Sequence, residues 1–224
     1  MSEFSGFNQI LFLGNSHTYN HNVPELLLGL VSAANCWKKL EVDSNTGRGV
    51  SLAWHWQNSR SRNLIAERSW DYVVLQERSA GPIEDPNGMF RSARMLHGEI
   101  RKKKAKGAFY MTWANRHHRE TQKTITEAYK KIACELGAVL VPVGCAWENV
   151  LAVDSNLSIY EADGRHASLI GAYLAACVFY TAFYGVTPEG LPGNLSEQGI
   201  TLSNLPMAQA LFLQKIAYQA VVDL

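Results

Sequence analysis

A three-layer α/β/α sandwich built on a five-stranded parallel sheet is the fold this 224-residue sequence predicts, and three observations predict it. Five short apolar runs, at 10–13, 40–42, 71–75, 108–113 and 139–143, have strand length and are too short for helices. Longer segments of helical pattern separate them, the alternation that gives parallel strands covered on both faces. Turn residues close the runs, as Gly14 and Asn15 close the first. Such sheets gather the loops after their strands at one edge, where ligands bind.

Each element has its own signal. Ile10-Leu11-Phe12-Leu13 is the first strand, and Asn22 ahead of Pro24 marks the start of the first long helix. Strand two, 40–42, runs into the turn-rich stretch 43–49. A helix is expected over 51–67, with His55 on its apolar face as a packed core residue. Strand three ends at Gln76, and a Pro/Gly loop precedes a helix from Met89 into the basic run 101–106, read as a solvated helix end that suits the macrodipole. After strand four come a helix over 120–136, stopped by Gly137, and strand five. A polar loop leads into an apolar helix over 167–184. The Pro/Gly-rich segment 186–204 reads as a surface excursion before a last helix over 206–222.

Composition narrows the function. Hydrophobic residues make up 47% of the chain, enough for a substantial core in one domain spanning 1–224, and the net charge of +1 argues against a nucleic-acid or membrane-surface role. No apolar run approaches the length of a membrane span, and the opening residues lack the basic and apolar regions of a signal peptide. Cys36, Cys134, Cys145 and Cys177 form no Cys-x-x-Cys pair; Cys134 and Cys177, in helical patterns, read as small buried hydrophobes, with no zinc site and a reducing cytoplasm.

Chemistry is sought among polar residues at the C-terminal strand ends. Ser16 follows strand one, Gly47 and Gly49 follow strand two, Gln76 follows strand three, and Trp113 and Asn115 follow strand four. A serine needs a base to act as a nucleophile, and the base needs an orienting partner. Asp163 and His166, three apart at a helix start, can supply both. His117 and His118 have no carboxylate or cysteine spacing that completes a metal site and read as loop histidines.

Gly14-Asn15-Ser16-His17-Thr18 resembles the Gly-Asp-Ser-Leu block of the SGNH (GDSL) hydrolases, and Asp163-Gly164-Arg165-His166 resembles their C-terminal Asp-x-x-His block. The resemblance spans nearly the whole chain in order. It implies a flavodoxin-like arrangement of the sheet and a serine esterase that needs no metal or cofactor. Ser16 would be the nucleophile, His166 the general base and then acid, and Asp163 the residue orienting the imidazole. For the oxyanion hole, Gly49-Val50-Ser51 resembles the family's glycine block, with Gly47 as the alternative. The Gly-x-Asn-Asp block is absent; Leu75-Gln76-Glu77 stands there, as in a little-characterised branch of the superfamily, and Gln76 is assigned the third donor, with Asn115 competing.

The substrate expected on this resemblance is a small-molecule or carbohydrate ester, an O-acetylated carbohydrate first, with His17 shaping the entrance and Trp113 either stacking on a sugar ring or covering the core. Thioesters and short-chain esters are rivals. A reading of another class makes Gly14–Thr18 a phosphate or flavin loop at a helix start. That reading leaves Asp163 and His166 without a task.

Overall fold

The structure, a computed structural model, describes residues 7–34, 39–197 and 199–224. Its centre is a five-stranded, all-parallel sheet of β1 (Phe7–Gly14), β2 (Lys39–Thr46), β3 (Tyr72–Leu75), β4 (Lys106–Tyr110) and β5 (Val139–Val141), in the order β2-β1-β3-β4-β5. Chain reversal beside β1 puts the switch point at the end of that strand. β1 shows why its run Ile10–Leu13 is apolar throughout. Ile10 and Phe12 enter the core on one face, Leu11 and Leu13 the core on the other, and all four are fully buried.

The first face is covered by α2 (Val23–Ala33), α8 (Val143–Val153), α9 (Leu169–Tyr184) and α10 (Met207–Val222). The second is covered by α3 (Leu52–Gln57), α4 (Ser59–Glu67), α6 (Pro86–Lys102) and α7 (Gln122–Leu136). The remaining helices are short: α1 (Ser16–Tyr19), α5 (Gly81–Glu84) and a 3-10 segment at Arg116–Thr121. The α/β/α sandwich and parallel sheet are therefore as expected.

Three local expectations change. The helix expected over 51–67 divides at Asn58, whose extended backbone interrupts it and whose side chain accepts from the Ser61 N–H to cap α4. Strand five stops at Val141, because Pro142 has no N–H for the ladder, and the apolar residues from Val143 on form the unforeseen helix α8. The excursion 186–204 contains an antiparallel pair, β6 (Asn194–Glu197) and β7 (Ile200–Asn204), set against α2 so that a Cβ on Gly29 would touch Leu195. Cys177 is buried in α9 as expected, whereas Cys134 is exposed on α7; Cys36 lies outside the described residues. No helix among the described residues is long and apolar enough to cross a membrane.

Candidate active site

The loop after β1 is held from beneath before it presents Ser16. Gly14 O accepts from His55 Nε2–H at 3.0 Å, and His55 Nδ1 in turn accepts from the Ser61 hydroxyl at 2.8 Å. His55 is fully buried, and desolvation pushes its pKa down to about 4, outweighing the Gly14 carbonyl, so the ring is neutral in this role. One turn on, the Asn15 N–H donates to Gln76 Oε1 at 2.8 Å, and the Thr18 hydroxyl donates to the same oxygen at 3.0 Å. A Cβ at position 14 would lie 2.3 Å from Thr18 Oγ1 and 2.7 Å from Gln76 Oε1, so close approach excludes any side chain there. The Asn15 side chain caps α1 through the His17 N–H and donates to Val50 O at 2.9 Å, joining the β1 and β2 loops.

The second half of the site comes from the loop ahead of α9. Asp163 Oδ1 accepts the N–H groups of Arg165 (2.8 Å) and His166 (2.9 Å), a turn closed through Gly164 at φ +67°. Asp163 Oδ2 accepts from His166 Nδ1–H. Partial desolvation pushes the Asp163 carboxyl up. The two backbone donors and the His166 ring outweigh it and hold the group well below the usual carboxylate range. With its proton on Nδ1, His166 offers Nε2 to the Ser16 hydroxyl, 2.9 Å away and 150 residues distant in sequence. The loop is tied to the segment after β4 by Arg116 N–H to Gly164 O (2.8 Å), Trp113 Nε1–H to Arg165 O (2.9 Å) and Tyr160 O–H to Ala114 O (2.8 Å).

Ser16 and His166 open onto a cavity of about 640 Å³ that Gly49 and Asn115 also line. The Gly49 backbone is left-handed at φ +64°, and among the described residues neither its N–H nor that of Ser16 has an acceptor. Asn115 uses Oδ1 to accept from the His117 N–H and leaves Nδ2 without a partner among the described residues. His17 lines the cavity as a buried ring, its centre 4.8 Å from that of Trp113 and 5.5 Å from that of His166. Desolvation first, then the neighbouring His166 and Arg165, push its pKa down to about 3. His118 lines the cavity, His117 is exposed, and among the described residues no three His, Cys, Asp or Glu side chains gather as a metal site.

Two sequence expectations do not survive this geometry. Gln76 is fully buried and faces the underside of the loop: Oε1 is taken by Asn15 and Thr18, Nε2 donates to Glu77 O, and the side chain does not line the cavity. Trp113 is 1% exposed and stacks on Trp147 with ring centres 3.9 Å apart, while His17 stands edge-on against it. It offers no face to a sugar. Its indole instead fixes Arg165, next to His166. Glu77, given no role in the sequence reading, is a buried carboxyl whose pKa burial raises; its oxygens accept the N–H groups of Leu52 and Arg78 and steady the loop carrying Gly49. The signal for it in sequence is an acidic residue two positions past an apolar strand.

No family model matches the sequence, and no curated protein matches it. Solved structures do. A candidate SGNH hydrolase from Slackia heliotrinireducens superposes with a TM-score of 0.67 at 28% identity, over 79% of this chain and 98% of its own. The chain belongs to the SGNH hydrolase superfamily. A DUF4886 family protein from Bacteroides uniformis shares the fold over 96% of this chain and 95% of its own, with a TM-score of 0.77 at 22% identity. The psychrotrophic esterase EstA from a Pseudoalteromonas species shares it more distantly, with a TM-score of 0.62 at 14% identity over 80% of this chain and 97% of its own. Within the superfamily's fold, the Ser16 loop and the Asp163–His166 loop meet at the C-terminal edge of the sheet, the edge on which α/β folds bind ligands.

Proposed function

We propose that this protein is a serine ester hydrolase that works through an acyl-enzyme on Ser16. The single observation that carries the reading is the chain of hydrogen bonds from Asp163 through His166 to Ser16, ending at an open cavity. His166 Nε2 takes the hydroxyl proton as Ser16 Oγ attacks the ester carbonyl. The developing oxyanion is met by the unpaired N–H groups of Ser16 and Gly49, with Asn115 Nδ2 as third donor in place of Gln76. His166 then gives its proton to the departing alkoxide. Water, deprotonated by the same nitrogen, attacks the acyl-enzyme and releases the acid. Asp163 holds the ring in the tautomer both steps need.

For the alcohol moiety, an acetylated carbohydrate remains the finer proposal, supported by the polar cavity rim at Asn20, Ser79 and Thr121 rather than by tryptophan stacking. The Pseudoalteromonas esterase is described as inhibited by monoethylphosphonate, which makes a phosphonate a fitting probe here. A fluorophosphonate should label the native chain on Ser16, as peptide mapping would read, and p-nitrophenyl acetate turnover should vanish in Ser16→Ala with circular dichroism unchanged. Full turnover by that folded variant would refute the mechanism.

A further inference from the structure

We infer that the ester taken by this site carries an anionic group (carboxylate, sulfate or phosphate) on its alcohol side, held by Arg165 and Arg48 at the cavity mouth; the inference rests on the esterase reading above. Three arginines line the cavity, Arg48, Arg78 and Arg165, against one carboxylate, Glu84. Arg78 is already committed to that carboxylate, with Nη1 2.8 Å from Glu84 Oε2. The nearby acids are also taken: Asp163 is occupied by His166 and Glu161 by His21. Arg48 and Arg165 are exposed, and neither side chain has an acidic partner among the described residues. The chain as a whole is nearly neutral at +1, so this is a local surplus at the one place where substrate would enter.

Arginines scattered on a surface are commonly just solvated. These two stand on anchored backbone. Arg165 has its N–H bonded to Asp163 and its carbonyl bonded by the Trp113 indole, and Arg48 stands in the loop held by Gly47 N–H on Gly14 O and by Asn15 Nδ2–H on Val50 O, next to Gly49 of the proposed oxyanion hole. Fixed guanidinium groups bind carboxylate, sulfate or phosphate oxygens with two parallel hydrogen bonds. The alcohol side follows from the chemistry. His166 must protonate the departing oxygen, so the leaving group lies along the 165–166 segment, and Arg165 is the cation there.

The test compares 3-acetoxybenzoate with 3-acetoxybenzamide, which share the acetyl group and differ in the charge on the leaving phenol. At low ionic strength the wild-type enzyme should favour the anion about ten-fold in kcat/KM, mostly through KM, and about 0.5 M salt should erase most of that preference. Arg165→Gln and Arg48→Gln should each cut the preference roughly three-fold or more, with Arg165→Lys keeping more of it than Arg165→Gln. Equal turnover of the two esters at low salt would overturn the inference and leave the esterase reading intact, whereas turnover of neither would remove both. A preference that survives high salt, or the double Arg48→Gln/Arg165→Gln variant, would also overturn it. The salt arm uses the wild-type chain, so the decision does not depend on a variant folding.

Discussion

The backbone N–H of Asn15 donates to Oε1 of Gln76 over 2.8 Å, and Gln76 is closed to solvent. One side chain from the end of β3 thus sets the height of the loop that carries Ser16, and the same oxygen steadies α1 through Thr18. Gln76→Ala would strand two buried donors at once. We expect it to lower stability by roughly 2–5 kcal/mol, since a buried polar group left unsatisfied costs about 1–3 kcal/mol. Denaturant unfolding checks this, and a variant as stable as wild type would show that Gln76 is not the loop's support.

Asn115 carries the opposite expectation. Its Nδ2 faces no partner among the described residues while its side chain lines the cavity, so its removal should be felt far more by the transition state than by the fold, which loses only the exposed cap on the His117 N–H. Asn115→Ala should lower kcat by about a hundred-fold or more, with KM and melting temperature little changed. A kcat within a few-fold of wild type would remove Asn115 from the oxyanion hole.

These two residues also mark the limit of what was legible in the sequence. Ser16, Asp163 and His166 could be found because each pairing rests on short spacing or on a strand end, and the parallel sheet then brings the two loops to one edge. Which way a strand-end side chain turns is a different matter. Gln76 and Asn115 both follow apolar strands, but Gln76 turns under the β1 loop into the space that Gly14 leaves open, and nothing in local sequence spacing encodes that contact across 61 residues. Trp113 misleads for the same reason, because its partner Trp147 sits on α8, a helix whose apolar start reads as the end of a strand. The hairpin β6–β7 was hidden by a turn-rich composition that suits either a loop or a tight pair.

The buried histidines give stability a pH signature. His55 and His17 have pKa values pushed down to about 4 and about 3, mainly by desolvation, against about 6.5 in an unfolded chain. Between those values the unfolded state binds more protons than the folded one, so stability is full above about pH 6.5 and falls as the pH drops toward 4. Each ring should contribute a slope of about 1.4 kcal/mol per pH unit below pH 6. His55→Gln removes one of these contributions, so its unfolding free energy, whatever its value at pH 7, should fall less steeply from pH 6 to pH 5 than that of the wild type. Parallel curves for the two proteins would mean that His55 is not held neutral in the fold.

Asp163 acts on two sides, and the substitution by Asn separates them. Oδ1 organises the loop by accepting the Arg165 and His166 N–H groups, a task the Asn carbonyl oxygen can keep. Oδ2 fixes the proton of His166 on Nδ1, a task the Asn amide reverses, because its NH₂ can only donate to that nitrogen. The favoured tautomer then carries its proton on Nε2, and the ring donates to Ser16 Oγ where it should accept. Asp163→Asn should therefore fold like the wild type, with the exposed carboxylate contributing little to stability, yet lose about 10³–10⁴ in kcat. Asp163→Ala frees the ring to choose its tautomer while removing the acceptor from both backbone donors, so it should lose more of the loop's order and less than Asn does through the wrong tautomer alone. Steady-state kinetics with p-nitrophenyl acetate, beside melting curves of both variants, decide the matter. A kcat for folded Asp163→Asn within about three-fold of wild type would show that the Asp163–His166 bond builds the loop and does not direct the proton.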